Sequence, residues 1–230
     1  MKMSTMSSLL LCAALIPAAA RAETIEGAVE FTGKAPAMGK LHREADAFCA
    51  KKTMTDETVL LKGTKLENVW VHVVKGAPES KGTGSVEMNQ KDCMYRPRMT
   101  FAQVGQTIIA KNEDPTLHNV HTYLGAATLF NKGMPNASAK PIDYPIEKDG
   151  MMKWKCDVHP WMKGFVGVNK NPYQASTADK GDFKIDNVPP GKYTVAAWHE
   201  KYGEKTQEVT VEAGKPAKVT FKYDGTEKAL

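Results

Sequence analysis

The feature that most restricts the fold of this chain is a series of short segments with two-residue periodicity. Seven segments are rich in β-branched and aromatic residues, and most alternate apolar with polar positions: 24–31, 68–74, 107–111, 118–123, 164–168, 192–198 and 218–223. Glycine and proline steps lie between them, as expected for turns. Only 41–52 carries the apolar spacing of a helix. The sequence therefore predicts an all-β molecule built from Greek-key sandwiches.

Composition excludes several classes of protein. The chain has 230 residues, of which 42% are hydrophobic and 25% charged, which argues against a collagen-like repeat, a disordered polyelectrolyte and a membrane bundle. The formal net charge is +5, and the basic residues are scattered without a run of arginines. We therefore expect no nucleic-acid binding. Since no segment approaches the roughly 20 apolar residues of a transmembrane helix, we expect no membrane span.

Residues 1–22 have the pattern of a secretory signal peptide. An apolar run too short to cross a bilayer is followed by Ala20-Arg21-Ala22, which has the small residues that signal peptidase requires. We expect cleavage before Glu23, which leaves 29 basic against 26 acidic residues and a net charge of +3. A lipoprotein acylated on Cys12 is the alternative, but Leu11 stands where a small residue is needed. The mature chain is thus expected in an oxidising compartment.

Cleavage also removes one cysteine and leaves Cys49, Cys93 and Cys156. Exported cysteines tend to pair, so an odd number leaves one that needs another explanation. Cys156 belongs to the densest cluster of potential metal ligands, Cys156-Asp157-Val158-His159-Pro160-Trp161-Met162. A second group lies upstream, His118-Asn119-Val120-His121.

The residue types in these two groups favour copper. One thiolate, two imidazoles and one thioether form a set that suits cycling between Cu(I) and Cu(II). The spacing lets Cys156, His159 and Met162 converge from one tight loop, while His118 comes from elsewhere in the fold. Zinc prefers closed Cys/His sets or an open water site, so the thioether argues against zinc. Taken singly, these residues are also compatible with a plain buried thiol and surface histidines. His121 shares strand parity with Asn119 and is expected not to be a ligand.

Residues 84–169 resemble a cupredoxin of the amicyanin and plastocyanin type. Leu117-His118-Asn119-Val120-His121 resembles the Pro-His-Asn-Val-His stretch of amicyanins, and the cluster from Cys156 to Met162 resembles their Cys-Thr-Pro-His-Pro-Phe-Met loop. Val104-Gly105-Gln106-Thr107 resembles the turn before the strand that leads to their first ligand. The whole chain is also similar to larger exported cupredoxin-domain and methylamine-utilisation proteins.

The resemblance implies one type 1 copper per chain and a role in one-electron transfer. His118, Cys156 and His159 would form a trigonal set with Met162 as a weak axial ligand. Asn119 and Pro160 would support the ligand loop from outside the ligand set. The imidazole of His159 would lie near the surface, with Pro160 and Trp161 forming an apolar rim on which partners dock.

The resemblance implies a periplasmic electron carrier, and several other functions remain as alternatives. Its partners would be redox proteins such as a dehydrogenase or a c-type cytochrome, and the chain would act as a monomer. A copper delivery, storage or sensing protein is the alternative. A binding module without metal, for instance for carbohydrate, ranks lower because no aromatic platform is recognisable. We expect no enzyme, since six histidines are too few for the additional clusters of a multicopper enzyme.

The flanks of the copper-binding stretch resemble a different domain. Residues 181–195 resemble the carboxypeptidase regulatory-like domain, a small transthyretin-like sandwich, and Gly27 lies in a matching first strand near the mature N-terminus. We infer one sandwich split into 23–83 and 170–230, with 84–169 inserted between its halves. Two consecutive domains, with 23–168 as an extended cupredoxin, are the alternative. The split arrangement predicts that 23–83 contacts 170–230.

If the copper thiolate accounts for Cys156, then Cys49 and Cys93 are expected to form a disulfide. Such a bridge would link the first flank to the copper-binding stretch. The histidines outside the cluster, His42, His72 and His199, are expected to be ordinary. Trp198-His199-Glu200 follows a clean strand and is a candidate for an interface between domains.

Overall fold

The computed structural model describes residues 22–177 and 180–228. Residues 1–21 of the predicted signal peptide lie outside the described residues. The described chain consists of eighteen strands and one short 3-10 helix, Cys49–Lys51. This confirms the all-β fold class. In the described part, no helix has the length and apolarity needed to cross a membrane.

The strands in chain order are β1 (Glu23–Phe31), β2 (Leu61–Lys62), β3 (Lys65–Leu66), β4 (Trp70–Lys75), β5 (Ser85–Lys91), β6 (Met94–Arg96), β7 (Met99–Gln103), β8 (Thr107–Asn112), β9 (His118–Leu124), β10 (Ala127–Met134), β11 (Ile142–Pro145), β12 (Gly150–Lys155), β13 (Lys163–Asn169), β14 (Gln174–Ser176), β15 (Asp182–Val188), β16 (Gly191–His199), β17 (Gly203–Val211) and β18 (Ala217–Tyr223).

Two sheets built from both ends of the chain enclose the first core. One has the order β15-β1-β3-β2, with β18 paired in parallel to β1, and the other has the order β14-β4-β16-β17. β18 shows why these strands form, because alternate side chains are buried and its lysines face outward. Ile25, Val71, Val195 and Phe221 are among the fully buried side chains between the sheets. Strands from 23–75 therefore share both sheets with strands from 174–223.

Two further sheets formed by the middle of the chain enclose the second core. Their orders are β10-β9-β12-β13-β7 and β11-β8-β5-β6, with parallel pairs at β7–β13 and β5–β8. Tyr95 and Trp154 pack edge to face in this core, with ring centroids 6.0 Å apart. Cys156 and Met162 are buried in the same cluster, so the ligand loop is anchored in the interior of this sandwich.

The two sandwiches meet at the outer faces of β4 and β13. Gly167 lacks a side chain there, and a Cβ on it would come within 2.2 Å of the Trp70 ring. Gln174 accepts a hydrogen bond from the Trp70 indole at 3.0 Å and donates one to the carbonyl of Ala102 at 2.8 Å. Trp70, Met99 and Phe165 form a small buried cluster of their own. Direct packing and paired polar groups thus hold the two sandwiches together.

The helix predicted over 41–52 is wrong. Only Cys49–Lys51 form a short 3-10 helix, and the remainder consists of turns, bends and irregular chain. The Asp46 carboxylate accepts hydrogen bonds from the backbone N–H groups of Phe48 and Cys49, both at 2.8 Å. Such side-chain bonds compete with regular helical hydrogen bonding. Lys40 and Thr55 form an isolated bridge that closes the segment into a loop, which we call the cap (residues 40–56).

Candidate metal centre

His118, the first residue of β9, is positioned by a carboxylate four residues upstream. Its side chain is fully buried, and Nε2 lies 2.9 Å from a carboxylate oxygen of Asp114. Asp114 also accepts the N–H groups of Asp92 and Cys93, each at 2.8 Å. Asp114 accepts a hydrogen bond from the Nε2–H of His118, so that the Nδ1 atom of this imidazole faces the interior.

The loop between β12 and β13 brings the other predicted ligands to the same place. His159 Nδ1 lies 2.9 Å from His118 Nδ1 and 3.8 Å from the sulfur of Cys156. The ligand atoms of these three buried residues all lie within 4.8 Å of one another. Met162 closes the loop, with its N–H bonded to the His159 carbonyl at 2.9 Å and its side chain fully buried.

Asn119 fastens the loop to β9. Its backbone N–H points at the Cys156 sulfur at 3.4 Å, and its side-chain oxygen accepts the N–H of Asp157 at 2.6 Å. The side-chain nitrogen bonds to Asn131 and to the Asp157 carboxylate. These contacts fix the position of the thiol relative to His118.

The surroundings of Cys156 favour its thiolate. Burial alone would raise the pKa of the thiol, but hydrogen bonds from His118, His159 and the N–H of Asn119 lower it to about 6. Burial likewise opposes protonation of His118, yet Asp114 and Cys156 raise the pKa of this imidazole. A thiolate beside two imidazoles is the charge state in which cysteine binds a metal.

His159 lies beneath the cap, and the expectation that its imidazole is near the surface is wrong. The residue is 2% exposed. Its Nε2 atom lies 3.3 Å from the Asp46 carboxylate and 3.8 Å from the Cys49 sulfur. The expected disulfide is present between Cys49 and Cys93, and it ties the cap to the turn between β5 and β6. The cap therefore covers the Nε2 edge of the His159 imidazole.

The predicted docking residues differ in accessibility. Pro160 is exposed, whereas Trp161 is half-buried and donates its indole N–H to the Cys93 carbonyl at 3.0 Å. Leu117 and Val158, each 46% exposed, stand next to the two histidines in sequence. Leu117, Val158 and Pro160 are thus exposed apolar residues next to or near the two histidines in sequence, whereas Trp161 packs against the Cys93 backbone.

The remaining histidines lie apart from this group. His121 contacts the Asp157 carboxylate at 3.0 Å and the Tyr123 hydroxyl at 2.9 Å. His72 and His199 are buried in or beside the first sandwich, and His42 is exposed. Two further groups with metal-ligand spacing include Cys49 or Cys93, but the disulfide occupies those sulfurs.

Sequence reasoning missed the two carboxylates that hold the histidines. The Asp114-Pro-Thr-Leu-His118 spacing is a local signal that could have indicated the first one. Asp46 is 113 residues from His159, and no local pattern connects them.

The donor set fits copper. Two imidazole Nδ1 atoms and one sulfur face a common point, and both Nε2 atoms are engaged by carboxylates. A buried pair of nitrogens 2.9 Å apart needs a shared proton or a cation between them. The sulfur favours copper over harder metals, and Met162 at the end of the same loop is a buried residue that carries a thioether.

Comparisons with known proteins match separate parts of the chain. Residues 166–224 match the model of the carboxypeptidase regulatory-like domain. Among solved structures, a single-residue mutant of amicyanin in its Cu(I) form is 23% identical over 37% of this chain and 82% of that chain, with a TM-score of 0.34. A purple cupredoxin from Nitrosopumilus maritimus is 24% identical over 36% of this chain and 98% of that chain, with a TM-score of 0.32. No curated protein matches the chain.

Proposed function

We propose that the chain is a periplasmic type 1 copper protein that carries single electrons between redox partners. The observation that carries this proposal is the convergence of His118 Nδ1, His159 Nδ1 and the Cys156 sulfur in a buried site. Met162 would hold the copper as a further ligand through its thioether. The proposal includes one copper per chain, export through the signal peptide, and no enzymatic reaction of its own.

Copper would supply the one-electron couple, and the chain would supply a site of fixed shape. Asp114 and Asp46 hold the two imidazoles by their outer nitrogens, and Asn119 holds the loop. Ligands that cannot move keep the geometry similar in both oxidation states, which lowers the reorganisation that electron transfer requires. Burial in an apolar core keeps water from the thiolate.

We further propose that residues 23–83 and 170–230 form one split sandwich around residues 84–169. The support is that β1 pairs with β15 and β18, and that β4 pairs with β14 and β16. The partners of such a carrier would be a dehydrogenase or a c-type cytochrome.

The burial of His159 favours the alternative, a copper delivery, storage or sensing protein. A covered histidine edge slows electron exchange at that edge but protects the bound metal. Two rates distinguish an electron carrier from a copper delivery, storage or sensing protein. A carrier exchanges electrons with a cytochrome faster than it loses copper to a chelator.

The test is the visible spectrum of the mature protein after addition of Cu(II). We expect a strong thiolate-to-copper charge-transfer band that is lost in Cys156→Ser and in His118→Gln. His121→Gln is the matched control and should keep the band. Stoichiometric copper binding with an unchanged spectrum in Cys156→Ser would overturn the proposal.

A further inference from the structure

A cleft of about 580 Å³ opens beside the two strands that carry the ligand loop. Lys153 and Lys155 from β12 line it together with Lys163 and Phe165 from β13 and Trp198 from β16. Lys155 and Lys163 stand opposite each other in the strand pair. The first immediately precedes Cys156 and the second immediately follows Met162. We call this site the lysine cleft.

The lysine cleft carries unbalanced positive charge. Its three lysines are exposed, and within the described residues none of them takes part in a salt bridge. Glu200 is the carboxylate in the lining, and Arg98 already binds it through hydrogen bonds of 2.6 and 2.9 Å. Lys163 lies close enough to Glu200 to act on its pKa, so Lys153 and Lys155 carry most of the excess charge.

The floor of the cleft is aromatic. Phe165 and the half-buried Trp198 lie with ring centroids 5.4 Å apart. Protein docking surfaces commonly have an apolar, desolvated centre surrounded by charged residues, and the aromatic floor and the lysines of the cleft have this composition. Because the charges of the cleft are positive, a partner with an acidic contact surface would complement it.

We propose that the lysine cleft is a docking surface for a redox protein that presents an acidic patch. The inference rests on the proposed function, because an electron carrier must meet both a donor and an acceptor. The cap covers His159, whereas Lys155 is bonded directly to Cys156, so the cleft connects to the thiolate through one peptide unit. Leu117, Val158 and Pro160 are exposed too, but they carry no charge that would attract an acidic partner.

The kinetic test uses an acidic c-type cytochrome and the copper-loaded protein. We expect Lys153→Glu/Lys155→Glu to lower the second-order electron-transfer rate at low ionic strength at least about tenfold, since charge complementarity steers association. The native rate should fall as salt is added, because salt screens charges. Lys34→Glu/Lys192→Glu, which makes the same charge change at exposed sites elsewhere, should stay within about twofold of the native rate.

A second readout does not depend on copper. In NMR spectra of the metal-free protein, the same cytochrome should shift the backbone amides of 153–155, 163–165 and 198. Shifts confined to 117 and 158–160, or a rate unchanged in the cleft variant, would overturn the proposal. A small aromatic anion that saturates the cleft without displacing the cytochrome would also overturn it. Failure of the proposed function is distinguishable, because the charge-transfer band would then be absent from the native protein.

Discussion

At the scale of single residues, the candidate metal centre depends on side chains that do not belong to the proposed ligand set. Asp114 accepts a hydrogen bond from the Nε2–H of His118 and two more from the backbone N–H groups of the Asp92-Cys93 turn. Both turn residues have positive φ, at 55° and 54°, a conformation that is unfavourable without glycine. The carboxylate therefore orients a histidine and stabilises a strained turn at the same time.

Replacement of Asp114 should weaken copper binding without removing any ligand. We expect Asp114→Ala to lower copper affinity about 10–100-fold, because the imidazole of His118 loses the partner that orients it. Competition with a chelator of known affinity measures this. Asp143→Ala, an exposed carboxylate on β11, is the control and should bind copper as the native protein does. Equal affinities in the two variants would contradict the role assigned to Asp114.

The sequence was sufficient to name the residues that converge and insufficient to describe their surroundings. Two short motifs contain His118, Cys156 and His159. Their residue types and spacing were enough to predict metal binding. The contact between Asp46 and His159 spans 113 residues, so it depends on the path of the cap and has no local signature.

At the scale of elements, the cap is the segment whose secondary structure the local sequence pattern predicted wrongly. Its apolar spacing resembles a helix, but Phe48 and Cys49 are turned inward by bonds to Asp46 and by the disulfide. The seven predicted strands all overlap observed ones. Strands such as β10 and β17 are not among the predicted ones. They lie at sheet edges, where many side chains face solvent and the alternation of apolar and polar residues is weak.

The disulfide should increase the stability of the fold and keep the cap closed over the candidate metal centre. It joins residues 44 apart, for which chain entropy gives a stabilisation of about 4 kcal/mol. We expect Cys49→Ser/Cys93→Ser to lower the free energy of unfolding in urea by about 2–5 kcal/mol. The same variant should release copper faster to a chelator, because the cap no longer holds over His159.

Two observations would contradict this account of the cap. One is an unchanged free energy of unfolding, and the other is copper release at the native rate from a destabilised but folded variant. Native protein with its disulfide intact, measured in the same urea series, is the reference.

At the scale of the whole molecule, the packing of two sandwiches buries ionisable side chains that do not belong to the candidate metal centre. His72 stacks on Trp70 with ring centroids 3.5 Å apart, and its Nδ1 atom has no hydrogen-bond partner among the described residues. Burial lowers the pKa of His72 and of His199 to about 3. That these histidines would be buried follows from the pairing of strands distant in sequence, which residue type does not reveal.

Acid should therefore weaken the fold before the carboxylates titrate. In the unfolded chain these histidines bind protons below about pH 6.5, whereas in the folded protein they stay neutral down to about pH 3. Their contribution to stability is complete above pH 6.5 and is lost as the pH falls from 6.5 to 3. Each histidine increases the slope of the unfolding free energy against pH by up to about 1.4 kcal/mol per pH unit.

The variant His72→Phe tests this assignment. It keeps the ring stacked on Trp70 and removes one titrating group, so its unfolding free energy should fall less steeply between about pH 6 and pH 4. His42→Phe, at an exposed position, is the control and should keep the native slope. If the native protein and both variants showed the same slope of unfolding free energy against pH, another group would govern acid unfolding.

The central claim is that His118, Cys156 and His159 hold one copper ion. The most direct measurement is anomalous X-ray scattering at the copper edge from crystals of the copper-loaded mature protein. We predict a single strong peak bonded to His118 Nδ1, His159 Nδ1 and the sulfur of Cys156, with Met162 as the nearest further donor. A peak at surface histidines with none between these three residues would contradict the account.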